Sequence, residues 1–233
     1  MKRFYKDASA AAAEDAGWRV LLDGRRVKTQ GGRAQTVPTE RLAAALAAEW
    51  AGQGEEIDPT AFVLRDLADY AIDVIAADRA AVLADLLRYA ETDTLCYRAE
   101  ADEPIHTRQL DLWEPVLQAA EARWDVQFER VAGIIHRAQP PATLRRLEAV
   151  LSDKDDFTLA ALVTLTTLSA SLVIGLSAAD SGADLAALWR ASELEADWQI
   201  EQWGQDDEAE VRATRRFAAF SAAARSAAIT SIA

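Results

Sequence analysis

Hydrophobic residues change their spacing along the chain, from alternation near the N-terminus to helical periods after Pro59. Over residues 18–22 (WRVLL) they partly alternate with other residues, and Asp23-Gly24 then separates this run from residues 27–29 (VKT). An Asp-Gly pair tolerates the positive φ angles of a tight turn, so the pattern predicts a β-hairpin. A short extended run follows at residues 34–37.

Helical spacing covers most of the chain beyond the hairpin. Thr39 is placed to cap the first of the helices. The predicted helices span residues 41–52, 107–123, 141–151, 157–178, 184–203 and 206–228, with further helical faces within 64–75 and 82–89. The alanine-rich residues 8–13 are interpreted as a low-complexity linker, and residues 124–135 as a strand or an irregular segment.

The net charge argues against polyanionic partners, and its distribution suggests that the chain has two parts. The 25 Lys and Arg against 38 Asp and Glu give a net charge of -13, which repels nucleic acid and anionic membranes. Residues 1–41 carry 9 basic and 5 acidic residues, whereas the remainder carries 16 and 33. The N-terminal part is therefore basic and the rest strongly acidic.

Residues 157–179 contain no charge and are long enough to cross a bilayer. Their flanks are acidic and lack the Lys and Arg cluster that sets membrane topology, so we expect a central helix buried in a helical domain, without membrane insertion.

The single cysteine, Cys96, fits a reducing compartment, and residues 1–15 lack a signal-type apolar region. These features predict a cytoplasmic protein.

Motifs for nucleotide or metal chemistry are absent from the sequence. It has neither a Walker loop nor a Gly-x-Gly-x-x-Gly run, and its two histidines, His106 and His136, are thirty residues apart. Cys96 has no histidine near it in sequence and is expected to be a buried structural thiol. We therefore expect no cofactor and no metal. An enzyme with a carboxylate site in an inter-domain cleft stays open as the alternative, and it would need two convergent acids near a histidine.

Residues 193–210 are the most informative segment, with eight acids and no base. At helical spacing its apolar residues form two separate sides, Leu194 and Trp198 on one and Ala196, Ile200 and Trp203 on the other. Either both sides are buried within the helical domain, or part of this helix faces a partner.

Several strings resemble, in order and spacing, one family: the assembly chaperones of the F-type ATP synthase that bind its alpha subunit, found in mitochondria and alphaproteobacteria. The resemblance extends from residue 2 to about residue 210. It rests on residues 2–7 (KRFYKD), 22–29 (LDGRRVKT), 38–39 (PT), 49–50 (EW) with Gln53, 57–59 (IDP), 92–99 (TDTLCYRA), Trp113 with Pro115, 139–140 (QP) and 198–204 (WQIEQWG).

This resemblance implies a small N-terminal β-rich α+β domain, which we place at residues 1–65, and a larger all-α helical domain at residues 66–233. It implies no catalysis. The chain would hold the free alpha subunit and cover the surface that the beta subunit later occupies.

The resemblance also directs attention to the acidic segment as the partner-binding site. The residues we expect to contact or support the partner are Glu193, Glu195, Asp197, Trp198, Glu201, Trp203 and Trp50. Ala196 stands where the family pattern has an acid, so that acidic contact is either missing or supplied by Glu193 or Asp197.

Overall fold

The chain is an α+β protein, with a small sheet region near the N-terminus and a larger helical part, as predicted. A computed structural model describes residues 1–14, 16–133, 135–204 and 207–230, with the side chain of residue 207 left undescribed.

The predicted hairpin is present and forms the centre of the main sheet. Asp23 and Gly24 both have positive φ and turn the chain between the second and third strands. The second strand pairs antiparallel with the first, third and fourth, and the fifth and sixth form a separate parallel pair. The strands are β1 (Ala8–Ala12), β2 (Trp18–Leu22), β3 (Arg25–Arg26), β4 (Thr36–Val37), β5 (Tyr97–Arg98) and β6 (Val131–Ala132).

Strand β1 corrects the interpretation of residues 8–13 as a linker. Ala8 to Ala12 pair with Leu22 to Trp18 along the whole of β2. Alanine favours helices when it is considered alone, but pairing with a hydrophobic strand overrides that preference here.

Most of the predicted helices are confirmed to within a few residues. Thr39 caps the first of them, as expected, by accepting a hydrogen bond from the backbone N–H of Leu42. The predicted helix start at Asp206 lies outside the described residues. The helices are α1 (Glu40–Ala51), α2 (Val63–Tyr70), α3 (Arg79–Glu91), α4 (Pro104–Trp124), α5 (Pro141–Ser152), α6 (Asp156–Ser169), α7 (Leu172–Ala178), α8 (Leu185–Trp203) and α9 (Asp207–Thr230).

The single helix predicted over residues 157–178 is wrong, because the structure divides it into α6 and α7. Ala170 adopts a left-handed conformation with φ of 51°, and Ser171 then caps α7 by accepting from the backbone N–H of Ile174. None of the helices in the described ranges combines the length and the apolar character needed to cross a bilayer.

A buried carboxylate holds this break in place. Asp93 accepts hydrogen bonds from the backbone N–H groups of Val173, at 3.0 Å, and of Leu95, at 3.1 Å. It thereby ties the start of α7 to the turn that precedes β5. Burial raises the pKa of the Asp93 carboxyl to about 6, although these hydrogen bonds act in the opposite direction.

This raised pKa predicts a pH-dependent stability. The folded state favours protonated Asp93, so its contribution is fully present below the ordinary pKa of 3.8 and is lost as pH rises through about 6. Over that interval we expect the free energy of unfolding of the wild-type chain to fall by up to about 3 kcal/mol relative to an Asp93→Asn variant. Urea unfolding of both chains across this pH range measures the difference. A difference that does not change with pH would contradict the assignment.

Two hydrophobic cores lie in the molecule, one beneath the main sheet and one among the helices. Helix α2 contributes to both, because Ala68 belongs to the sheet core and Leu67 to the helical core. Helix α9 packs against α6 and also reaches α1 and α2. The expected boundary after residue 65 falls within α2, and the division into domains at this residue stays a prediction.

Candidate protein-binding surface

The first half of helix α8 is anchored firmly against α4. Asp184 caps the helix by accepting from the backbone N–H of Ala187, and Leu188 and Leu194 are buried. The indole Nε1 of Trp113 on α4 donates to the carbonyl oxygen of Ala191 at 2.7 Å. These contacts fix the direction in which the more exposed second half of α8 projects.

Glu193 faces helix α9, away from α4. Its carboxylate lies 3.1 Å from Arg216, whose guanidinium also donates to the carbonyl oxygen of Leu168 and lies against the ring of Trp189. Partial burial raises the pKa of the Glu193 carboxyl, while Arg216 acts to lower it. Glu193 therefore holds two helices together within the chain.

Glu195 is an exposed acid positioned by a buried amide. Gln109 donates from Nε2 to the Glu195 carboxylate at 3.0 Å, and its Oε1 accepts from the backbone N–H of Ala99 at 2.8 Å. Arg98 in turn donates to the backbone carbonyl of Gln109 at 3.1 Å. The position of Glu195 thus depends on the interior of the helical core.

Arg108 on α4 contacts two further predicted residues, Trp198 and Glu201. It lies 2.7 Å from the Glu201 carboxylate, and its guanidinium carbon lies 4.7 Å from the ring centroid of half-buried Trp198. The hydrogen bond from Arg108 holds the pKa of Glu201 below its usual value. Trp198 therefore lies beneath an exposed ion pair.

The other side of α8 is uncovered. Ala196 is exposed, Ile200 is half-buried, and 83% of Trp203 is exposed. Among the described residues, the Trp203 indole Nε1 donates to Gln199 of the same helix. The interpretation that both apolar sides are buried within the helical domain is therefore wrong for the described residues. Free exposure of so large an apolar side chain is typical of an interaction surface.

Asp197 lies on the exposed part of the same helix. No ion pair joins it to any residue that the structure describes. Partial burial and the nearby negative charge of Glu201 raise the pKa of its carboxyl. Because no described cation is paired with Asp197, its carboxylate can pair with a positive charge on another molecule.

A groove of about 580 Å³ runs beside this helix, between α8, β5 and the beginning of α4. Ala196, Trp198 and Gln199 form one wall, and Ile105 and Glu103 lie among the residues opposite. Its mixture of apolar and acidic groups matches the composition of the exposed side of α8. We call the groove together with Glu195, Asp197, Trp198, Glu201 and Trp203 the α8 surface.

Trp50 lies in the sheet core, apart from the other six predicted residues. It is 7% exposed, and its ring centroid lies 5.5 Å from that of Tyr5 and 4.5 Å from that of Phe62. The structure therefore brings Glu193, Glu195, Asp197, Trp198, Glu201 and Trp203 together on one helix, and it does not bring Trp50 to them.

Sequence reasoning missed the residues on α4 and β5 that position the α8 surface. Arg108, Gln109 and Arg98 come from a part of the chain about ninety residues earlier, and only the fold brings them to α8. The string TDTLCYRA contained Arg98, but nothing in it pointed to α8.

The two histidines contact groups of the chain itself, and the cysteine is buried. His106 Nδ1 lies 2.8 Å from the carbonyl oxygen of Ala99, and His136 Nδ1 lies 2.9 Å from the Tyr97 hydroxyl. Cys96 is buried, and burial raises the pKa of its thiol, which makes a nucleophilic thiolate unfavourable. Within the described ranges, no three side chains of His, Cys, Asp or Glu gather as a metal site would require.

Comparison with known proteins gives the class of this molecule: it is an assembly chaperone. The family model described as ATP12 chaperone protein matches residues 2–121. The chain belongs to this ATP12 family, whose members serve ATP synthase assembly.

Solved structures extend the similarity to α8, which lies beyond the family model's match. Atp12 from Paracoccus denitrificans matches with a TM-score of 0.92 and 36% identity over 99% of this chain and 98% of its own. A point mutant of that protein matches equally. The Atu1473 protein of Agrobacterium tumefaciens matches with a TM-score of 0.93 and 36% identity over 97% of this chain and 85% of its own.

Proposed function

We propose that this chain binds the free alpha subunit of the F-type ATP synthase and shields its beta-subunit interface until the catalytic hexamer assembles. Membership of the ATP12 family supports the role in assembly. The observation that carries the choice of surface is the exposure of the second half of α8, where Trp203 is 83% exposed and the acids Asp197 and Glu201 are exposed on other faces of the same helix.

The α8 surface has the properties that a temporary partner needs. Trp198 and Trp203 supply aromatic area for contact, and the acids around them steer a basic patch toward it. Because the contact is a reversible burial of surface, ATP is not needed to end it. The beta subunit would displace the chaperone by offering the alpha subunit a larger interface.

The family pattern has an acid at the position of Ala196, and we assign the contact of that acid to Asp197. Glu193 is already paired with Arg216, so contact with a partner would require that ion pair to break. Asp197 has no such pair in the described structure, and a partner's cation would relieve the repulsion from Glu201.

Two broader features belong to the same proposal. We assign residues 1–65 and 66–233 to separate domains, which the two hydrophobic cores support. We place the chaperone in the cytoplasm, because a single buried cysteine is typical of proteins in a reducing compartment.

Charge reversal on the α8 surface tests the assignment. We expect Glu195→Lys and Glu201→Lys each to weaken binding of purified alpha subunit by at least about tenfold, because each removes an acid that attracts the partner and introduces a like charge. Glu201→Lys also repels Arg108 and releases its contact with Trp198. Retention of alpha subunit on the immobilised chain measures the effect.

The matched control is Glu148→Lys on α5, which makes the same change at an exposed acid away from the α8 surface. It should bind like the wild-type chain, and all three variants should keep the wild-type melting temperature to within a few degrees. If folded Glu195→Lys and Glu201→Lys variants bound normally, the α8 surface would not be the contact.

A further inference from the structure

A second groove, of about 710 Å³, lies in the sheet region. It is enclosed by the β2–β3 hairpin, the N-terminal residues 4–5, the end of α1 at Trp50 and helix α2 at Arg65 and Asp69. We call it the sheet groove. It belongs to the sheet core, whereas the α8 surface belongs to the helical part.

The sheet groove is basic in a strongly acidic chain. Arg25, Arg26, Lys28 and Arg65 line it, although the net charge of the whole chain is -13. Arg25 and Lys28 are exposed and form no ion pair with any described residue. Neither cation is held in an ion pair by a described residue, although the charge of nearby Asp23 interacts with that of Arg25.

The two acids that line the groove, Asp23 and Asp69, accept hydrogen bonds from other residues of the chain. The Asp23 carboxylate accepts from the backbone N–H groups of Lys6, at 3.0 Å, and Asp7, at 2.9 Å. Asp69 accepts from Gln35 Nε2 at 2.6 Å and from the backbone N–H of Gln30 at 3.0 Å. Asp69 also lies 3.9 Å from Arg65, and the charge of Asp23 interacts with that of Arg25, so the positive character of the groove rests on four cations in its lining against two acids.

Aromatic rings cover the other side of the groove. Phe4 is 65% exposed and meets Tyr5 edge-on at 5.3 Å between centroids, and Tyr5 in turn meets Trp50. The buried Nε1 of Trp50 has no hydrogen-bond partner among the described residues. A buried donor without an acceptor is costly, and an acceptor atom that reached it from the groove would remove that cost.

We propose that the sheet groove binds an acidic peptide segment that carries hydrophobic side chains. Its carboxylates would pair with Arg25 and Lys28, and a hydrophobic side chain would pack on Phe4. A carbonyl or carboxylate oxygen would accept from Trp50 Nε1. The volume of the groove, about 710 Å³, and its exposed aromatic side favour a peptide over a small anion, and the acidity of the remaining chain disfavours a nucleic acid.

This binding site goes beyond the proposed function, because it requires neither the alpha subunit nor α8. A chaperone with two separate grooves can hold one partner at two points, which raises the overall affinity without a larger single contact. It also gives the buried Trp50 a role that the α8 surface does not.

Fluorescence anisotropy with a labelled peptide, DEDFEDLED, tests the proposal on the full-length chain. We expect the peptide to bind the wild-type chain, and Arg25→Glu/Lys28→Glu to weaken binding by at least about tenfold. The matched control, Arg145→Glu/Arg215→Glu, changes two exposed arginines of the helical part by the same total charge and should bind like the wild-type chain. Phe4→Ala and the peptide DEDGEDGED should each weaken binding severalfold, since each removes the apolar contact.

Several outcomes would overturn the proposal. They are no binding to the wild-type chain, equal weakening by both double variants, or displacement of the peptide by inorganic phosphate at equal concentration, which would indicate a small-anion site. Glu195→Lys should leave peptide binding unchanged. Failure of the peptide test therefore leaves the α8 surface unaffected, and failure of alpha-subunit binding leaves the sheet groove unaffected.

Discussion

Replacing Gly175 by alanine is expected to lower the free energy of unfolding by about 2–3 kcal/mol. Gly175 lies in α7, which packs against α6 without space for a side chain. A Cβ atom there would lie 3.2 Å from the backbone nitrogen and 3.3 Å from the Cα of Thr166, and closer still to the Thr166 hydroxyl. Both helices would have to move apart, because two of these atoms are backbone.

A second variant shows which atoms cause the loss. Thr166→Ala removes a buried hydroxyl that has no hydrogen-bond partner among the described residues, so by itself it should be close to neutral. Combined with Gly175→Ala it should restore part of the lost stability, while the tight backbone contacts keep the recovery incomplete.

Urea unfolding of the two single variants and the double variant measures this coupling. Gly54→Ala is the matched control, because the nearest atom to its new Cβ would be the carbonyl oxygen of Glu56 at 3.8 Å. That variant should change the free energy of unfolding by less than about 0.5 kcal/mol. A Gly175→Ala variant as stable as this control would show that the α6–α7 contact is looser than described.

Replacing Arg98 by methionine is expected to cost about 2–4 kcal/mol of stability, because it removes the donor to buried carbonyl oxygens. Arg98 is buried and donates to the carbonyl oxygens of Leu95 and Gln109 and to the Glu114 carboxylate. Its guanidinium carbon also lies 5.5 Å from the ring centroid of Trp113. Methionine keeps the apolar stem but leaves the two carbonyl oxygens without this donor, whereas Glu114 keeps its ion pair with Arg130.

Arg108→Met is the control for the loss of an arginine in general. Its side chain is exposed and forms an ion pair with Glu201, also exposed, so we expect a cost below about 1 kcal/mol. Denaturant unfolding compares the two variants, and equal costs would contradict the role assigned to Arg98. Arg98→Met should also weaken alpha-subunit binding at a temperature where it is still folded, since Gln109 positions Glu195.

The parts of the fold that depend on local chemistry could be predicted from the sequence. Asp23-Gly24 predicted the hairpin turn because few residue pairs tolerate its φ angles. Thr39 predicted the start of α1 because a side-chain oxygen at this position satisfies a backbone N–H that the helix leaves unpaired.

The wrong predictions concern segments whose structure is decided by distant residues. The alanines of β1 become a strand only because β2 is beside them. Residues 157–178 have uninterrupted helical spacing, but the break at Ala170 is supported by Asp93 and Thr94 from elsewhere in the chain. Periodicity carries no information on such contacts.

In the candidate site, too, local features could be predicted from the sequence and contacts between distant residues could not. The sequence placed six acidic and aromatic residues on one helix and left open whether a partner or the chain itself covers them. The exposure of Trp203, the pairing of Glu193 with Arg216 and the pairing of Glu201 with Arg108 each required the fold.

Competition between the beta subunit and this chain for the alpha subunit tests most directly whether the chain shields the beta-subunit interface. The measurement is the sedimentation velocity of a fluorescently labelled form of this chain, first with purified alpha subunit and then with increasing amounts of beta subunit. We predict that alpha subunit shifts the label to a faster-sedimenting complex and that beta subunit returns it to the position of the free chain. A label that alpha subunit never shifts, or a complex that persists in excess beta subunit, would contradict the account.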